Sequence, residues 1–415
     1  MGKNTKRQYD LLVIGAGASG MMAAITAARE NKKVCILEKL DKAGKKLLAT
    51  GNGKCNFTNA NMSSDYFGGD SSFVSQILEQ FSVSDCLDFF NSIGVYPKNK
   101  NGYYYPNSEQ SSSVVNALLE ELVRKNVNIF YDTQVLDILP LKENVIVSTN
   151  KENFSAKKII VATGLLAAPK LGSDGSVLEI IKRLGHHFVP ILPVLCGYYA
   201  KGISFKKVSG VRTTGTVTAI VDGKNVAEDT GEIQFTDYGI SGIPVFQISR
   251  YLSKGLYQKS EVKVDINLLP GLNKEQLINE LNHRKAIKNS QPASTLLNGL
   301  INQKLSDVVL EKANIDVNLL VSSLSESQIC RIAGVLQKIT VSITKYRDYE
   351  FAQVCTGGIS TSDIIWETLE SKFVPNIHFT GEILDVDGIC GGYNLHFAWA
   401  TGFLAAKSIC KSLKD

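Results

Sequence analysis

With 415 residues the chain is too long for one ordinary hydrophobic core, so two or three domains are expected. A composition of 44% hydrophobic and 20% charged residues is that of a soluble globular protein, and a net charge of +5 from dispersed lysines and arginines does not call for nucleic acid. The eight cysteines (35, 55, 86, 196, 330, 355, 390 and 410) come no closer than twenty positions to one another, which excludes CxxC redox pairs and zinc knuckles. That spacing points to a reduced, cytoplasmic setting, and the five histidines show no metal-ligand pattern, so no metal is expected. Lys3, Lys6 and Arg7 precede an apolar run reaching Ala28, as in a signal peptide, but that run has a better explanation. Met1-Gly2 lacks the Ser or Thr at position 6 that myristoylation needs, and no other stretch approaches the roughly 20 apolar residues of a membrane span.

The better explanation is a strand over Tyr9–Ile14 turning through Gly15-Ala16-Gly17-Ala18-Ser19-Gly20 into an amphipathic helix, Met21–Arg29. The first glycine permits the sharp turn, the second lets backbone approach a pyrophosphate, and the third lets helix and strand pack closely. The helix presents free N–H groups and the positive end of its dipole to the phosphates. Lys33–Leu37 reads as a second buried strand, and Glu38 at its end lies at the distance needed to accept ribose hydroxyls. Together these make a dinucleotide-binding unit.

Next comes Gly44-Lys45-Lys46, continuing to Thr50-Gly51-Asn52-Gly53-Lys54-Cys55-Asn56, a run whose glycines, lysines and asparagines suit a backbone wrapped around a pyrophosphate. It is not a P-loop, because Cys55 follows Gly53-Lys54, and by itself it reads equally as a solvated loop. Tyr103-Tyr104-Tyr105 is either a wall for a flat apolar substrate or a half-buried strand. Ser108 reads as the N-cap of a long helix through Arg124, and Asn128–Tyr131, Gln134–Leu139, Val145–Thr149 and Lys158–Ala162 as short strands. The last leads into Ala162-Thr163-Gly164, a common tripeptide that in two-dinucleotide-fold flavoproteins passes near the cofactor.

From about Pro190 the texture changes. Val208–Val221 alternates small and β-branched residues, Asp222-Gly223 is a hairpin turn, Gly231–Phe235 resumes strand character, and Pro270 to about Gln337 reads as several helices. A strand at Asn376–Phe379 then leads into Thr380-Gly381-Glu382-Ile383-Leu384-Asp385 and Gly391-Gly392-Tyr393-Asn394, followed by an amphipathic helix, Leu395–Lys411. This has the form of a flavin closing motif, in which a helix N-terminus stabilises the negative charge of the reduced ring. The middle of the chain is therefore an insertion, and two lobes around a cofactor imply a cleft. Gly172-Ser173-Asp174-Gly175 and Gly239-Ile240-Ser241-Gly242 follow no strand in the required way, so no dedicated nicotinamide domain is expected.

The three motifs Gly15–Gly20, Gly44–Lys46 with Thr50–Asn56, and Gly381–Asp385 with Gly391–Asn394 together resemble the BaiN/YhiN-type flavoproteins, a family that includes bile-acid-type enone reductases and aminoacetone oxidases. The resemblance covers essentially the whole chain. It departs at Gly164-Leu165-Leu166, where many members carry Gly-Gly, and at Lys54, where Arg is frequent. It implies an α/β fold: a split Rossmann-like FAD-binding domain (1–190 and the end of 338–415), an inserted β-barrel-like domain (191–270, regained at the start of 338–415) and a small helical cap (271–337). It also implies FAD contacts at Gly15, Gly17, Ala18, Ser19, Gly20, Glu38, Lys39, Lys46, Gly53, Cys55, Asn56, Thr163, Gly164, Gly381, Glu382, Asp385, Gly391, Gly392, Tyr393 and Asn394, with the Val135 backbone against adenine.

The reaction implied is hydride transfer from transiently bound NADH or NADPH, through FAD, to a conjugated C=C of a small apolar molecule. The alternative is an amine or aminoketone oxidase that makes peroxide, and a remoter one is a flavin-dependent RNA-modifying or RNA-binding protein, for which no basic, aromatic-interleaved surface is visible. Tyr393 and His396 are weak candidates for a proton donor, with helix-cap packing the favoured role for both. Cys55 and Cys390 read as packing residues.

Overall fold

The computed structural model describes residues 8–414; the N-terminal features at Met1, Gly2, Lys3, Lys6 and Arg7 lie outside the described residues. The chain divides into two compact units, residues 1–192 with 353–415, and residues 193–352.

The first unit is built on five parallel strands whose central stretches, Leu11–Ile14, Val34–Leu37 and Ile159–Val161, are apolar and buried on both faces, as a sheet covered on both sides requires. Their order is Asn128–Phe130, Val34–Leu37, Gln8–Ile14, Asn153–Val161 and Ile377–Phe379, which in chain order is 3-2-1-4-5. The order reverses between Gln8–Ile14 and Asn153–Val161, and such switch points open a crevice at the carboxyl ends of the strands. An antiparallel hairpin, Val135–Pro140 with Val145–Thr149, extends from Asn153–Val161.

Two helices differ from their sequence pattern. The fingerprint helix, Ala18–Arg29, has ten of its twelve residues buried rather than one apolar stripe, because the C-terminal helix Tyr393–Ser412 packs on it. At their crossing a Cβ on Gly402 would meet the Ser19 carbonyl oxygen at 2.3 Å, so only glycine fits there. Ser108 is not an N-cap: the helix starts at Ser111 with no side-chain cap, and the Ser108 hydroxyl turns to Ser113 at 2.8 Å.

The second unit contains a closed antiparallel barrel in the order Tyr198–Lys201, Gly239–Gly242, Lys224–Phe235, Arg212–Val221, Val262–Asn267 and Ile339–Tyr346. Alternate residues such as Val217, Ala219, Ile233, Phe235, Val264, Ile266 and Val341 fill it. The hairpin turn holds Asp222 and Gly223 both at positive φ (47° and 76°), as a type I′ connection demands. Two segments are reshaped: the strand expected from Val208 begins at Arg212 after a short helix, Phe205–Val208, and the strand expected from Gly231 begins at Lys224. Helix Ile243–Tyr257 packs on the barrel, and between barrel strands 262–267 and 339–346 the chain makes helices Lys274–Ile287, Gln303–Lys312 and Glu326–Gln337.

Candidate flavin site

At the switch point the fingerprint glycines divide their work. A Cβ on Gly15 (φ 103°) would lie 2.6 Å from the Ala162 carbonyl oxygen, and one on Gly20 would lie 2.0 Å from the Gly15 carbonyl oxygen. A Cβ on Gly17 would meet nothing within 4 Å. Gly15 and Gly20 are thus fixed by the protein's own packing, while the space above Gly17 is open. Gly17 is also the N-cap of the fingerprint helix and makes no side-chain cap, so the first-turn N–H groups are unclaimed by any side chain. An open cradle over an uncapped helix start fits a pyrophosphate.

Glu38 ends the second strand as expected. One carboxylate oxygen accepts the Ala16 N–H at 2.8 Å and the other the Leu40 N–H at 2.8 Å, each keeping a lone pair for a further donor. Burial raises its pKa, opposed by these N–H donors. The Glu38 carbonyl accepts the Thr133 N–H at 2.9 Å, which brings the segment leading to Val135 beside Glu38. Lys39 pairs with Asp174.

Further along the crevice, residues distant in sequence converge. Lys46 Nζ lies 2.6 Å from Glu382 Oε2, and Glu382 Oε1 accepts the Cys355 N–H at 3.0 Å. A Cβ on Gly164 would stand 3.7 Å from the same carboxylate, and one on Gly381 would meet Ser19 Oγ at 2.7 Å. Ser19, Lys46, Gly164, Gly381 and Glu382 thus border one another, with Thr163 next in chain. Asp385 donates its N–H to the Ile359 carbonyl at 2.9 Å. The 354–359 strand carries no motif that sequence reasoning singled out; its signal is Gly357-Gly358, both at positive φ (86° and 129°) where a Cβ would strike Pro190 and Ile383 carbonyl oxygens.

The closing turn is different in kind. Asn394 is committed to it, with Oδ1 accepting the Gly388 N–H and Nδ2 donating to the Gly388 carbonyl, both at 2.8 Å. Asn56, with its amide oriented to satisfy its neighbours, donates to the Tyr104 and Thr58 carbonyls at 3.0 Å and accepts the Gly392 N–H at 3.2 Å. Both side chains hold backbone. Gly51, Asn52, Gly53 and Cys55 all take positive φ (54° to 81°), and the space beside Gly53 is open. Cys55 is fully buried, which pushes its thiol up to about 12 and makes it inert as a nucleophile. Cys390 is partly exposed in the closing turn.

His396 is not placed to move a proton. It is fully buried, with Nδ1 2.8 Å from Thr58 Oγ1 and Nε2 3.1 Å from the Phe81 carbonyl, and burial lowers its pKa to about 4. Tyr393 begins the C-terminal helix behind the uncapped Gly392, its ring 4.9 Å from Tyr66 and 5.9 Å from Phe67. Tyr66 and Phe67, which sequence reasoning passed over, reach this turn because Phe67–Gly69 pairs antiparallel with Val386–Gly388. Tyr103, 40% exposed on a strand paired with Thr58–Asn59, lies on its other side. Among the described residues no three His, Cys, Asp or Glu side chains gather as a metal site needs, and no helix is long and apolar enough to cross a membrane.

Comparison with known proteins agrees with this geometry. The family model described as HI0933-like protein Rossmann domain matches residues 9–408. The 3-dehydro-bile acid delta(4,6)-reductase of Clostridium scindens is 40% identical over 95% of this chain and 98% of its own. The ribosomal RNA dihydrouridine synthase of Escherichia coli is 27% identical over 97% of this chain and 98% of its own; its Haemophilus influenzae counterpart is 29% identical over 96% and 98%. Among solved structures, a 3-ketosteroid delta1-dehydrogenase from Sterolibacterium denitrificans shares the fold with a TM-score of 0.53 at 11% identity, covering 98% of this chain and 100% of that one. The sequence fingerprint, the 3-2-1-4-5 sheet and these matches converge: the chain belongs to the HI0933-like family of FAD-dependent Rossmann-fold oxidoreductases.

Proposed function

We propose that the protein uses NADH or NADPH to reduce a C=C bond conjugated to a carbonyl in a flat, apolar ring. The observation that carries this reading is the 40% identity with a bile-acid delta(4,6)-reductase along 95% of the chain. When bound, FAD supplies the hydride chemistry at its ring. The chain's own residues divide the binding. Gly15–Gly20 and the uncapped helix Ala18–Arg29 hold the pyrophosphate, Glu38 accepts ribose hydroxyls, and the backbone near Val135 borders adenine. Lys39 follows Glu38 at the ribose end, Lys46, Thr163, Gly164, Glu382 and Asp385 line the middle of the cofactor, and the uncapped start of Tyr393–Ser412 favours negative charge on the reduced ring. The nicotinamide visits the flavin face and leaves. With no disulfide among the described cysteines, we place the protein in the reducing cytoplasm.

A second reading has its own support in the dihydrouridine synthases that match along 97% and 96% of the chain. A uracil ring also carries a C=C conjugated to a carbonyl, so both readings ask the site for the same bond chemistry and differ in what carries the ring. Anaerobic mixing with NADH and NADPH, then with cyclic enones, with uridine-containing RNA and with amines, separates them. The proposal expects bleaching by a nicotinamide and recovery with an enone. Recovery with RNA alone favours the second reading, and peroxide formed with amines in air marks an oxidase.

A further inference from the structure

Three phenols meet at the closing turn. Tyr393 stacks at a 41° tilt on Tyr66, and Tyr103 comes in from the neighbouring strand against the same glycine: a Cβ on Gly391 would lie 2.9 Å from Tyr393 Cε2 and 3.0 Å from Tyr103 Cε1. Asn59 Nδ2 fixes that glycine by donating to its carbonyl at 2.8 Å, and the Ile389 N–H donates to the Tyr66 carbonyl at 3.0 Å. The backbone under the cluster is thus held by hydrogen bonds on both sides. Among the described residues none of the three hydroxyls has a hydrogen-bond partner, although Tyr393 is only 5% exposed. The Tyr393 ring is packed away while its hydroxyl stays open to solvent, so that hydroxyl is free to donate to a ligand that displaces water.

We propose that this cluster is the substrate's carbonyl site: the rings of Tyr66 and Tyr103 receive a flat cyclic enone, and the Tyr393 hydroxyl donates a hydrogen bond to its carbonyl oxygen. The proposal rests on the enone-reductase reading above. Reduction forms a C–H bond at the β-carbon with the hydride carried in from the nicotinamide. The C=C electron pair shifts toward the carbonyl, and the α-carbon then takes a proton from solvent to give the saturated ketone. Negative charge grows on the carbonyl oxygen along the way, where a fixed neutral donor in a site of low dielectric lowers the barrier. Burial, with the Tyr66 and Tyr103 phenols adding to it, pushes Tyr393 up to about 12, so it stays protonated at working pH. Tyr393 keeps its own proton throughout.

The test uses FAD-loaded protein, reduced anaerobically and mixed with cyclohex-2-enone and with a 3-oxo bile acid carrying a conjugated C=C. Tyr393→Phe keeps the ring stack and removes the donor; it is expected to slow enone-driven recovery of the flavin band by about 100-fold. Affinity for the saturated ketone, read from perturbation of the oxidised flavin spectrum, should fall by less than about tenfold, and reduction by NADH or NADPH should slow far less than the enone-driven step. Should Tyr393→Phe fail to hold FAD, the double variant Tyr66→Ala with Tyr103→Ala, which removes the rings that receive the enone, takes its place, with an expected slowing of about tenfold or more. Wild-type rates in whichever variant is loaded overturn the tyrosine site while leaving the enone reading standing. Wild-type protein that no enone reoxidises overturns the enone reading and this site with it.

Discussion

The two ends of the flavin crevice are built on opposite plans. At the fingerprint end the protein leaves its backbone open: nothing stands within 4 Å of a Cβ on Gly17, and the helix behind it has no side-chain cap. At the closing turn the helix start is likewise without a side-chain cap, but the turn before it is filled by the protein itself, with Asn56 on the Gly392 N–H and Asn394 on both polar groups of Gly388. The first end has the form of a mould that fits a pyrophosphate. The second is a braced frame whose unpartnered groups are phenols, which suits a ring that arrives and leaves.

The comparison breaks most visibly at the glycines. Gly20→Val puts side-chain atoms where the Gly15 carbonyl already stands 2.0 Å away, so the fingerprint turn cannot form; purified protein should lack the flavin absorbance band and melt far below wild type. Gly17→Ala should leave the melting temperature of the flavin-free protein within a few degrees while weakening FAD binding by about tenfold or more, since its methyl enters only the ligand's space.

Next in size is acid sensitivity. His396 has its pKa depressed from 6.5 to about 4, so the fold favours the neutral ring. Its contribution is complete above pH 6.5 and is lost as pH falls through the window down to about 4, by up to about 3 kcal/mol at 1.36 kcal/mol per unit. Fully buried His378 is depressed to about 4 in the same direction by burial, so unfolding monitored from pH 7 to pH 4 should show both. His396→Gln should flatten only its own share of the slope.

Lys46→Met leaves the part-buried Glu382 carboxylate with the Cys355 N–H but no cation; FAD affinity should drop by about tenfold, equivalent to about 1.4 kcal/mol. The smallest effect belongs to Ser108→Ala. It removes a hydroxyl contact with Ser113 and a long one from the Gln110 N–H at 3.4 Å, so chemical denaturation should change by less than about 0.5 kcal/mol, against about 1 kcal/mol for loss of a true N-cap.

What was legible follows the same division. Gly15, Gly20 and Glu38 were readable because one backbone conformation and one strand end dictate those residue types within a single local unit. The glycine motifs were readable as patterns and packing was the favoured role for His396, but the partners of His396, Asn56 and Asn394 were not, because Thr58, Phe81, Tyr104 and Gly388 meet them only through tertiary packing. The burial of Ala18–Arg29 on nearly every face was hidden for the same reason, since its covering helix lies more than 360 residues away. Tyr66 carries no local signal; it reaches Tyr393 because Phe67–Gly69 pairs with Val386–Gly388.

The most direct measurement is the oxidative half-reaction. FAD-loaded protein, reduced anaerobically by NADH or NADPH and mixed with a cyclic enone, should regain its oxidised flavin spectrum while the enone becomes the saturated ketone in equal amount. A flavin that stays reduced with every enone, yet returns with oxygen and releases peroxide, would contradict the account.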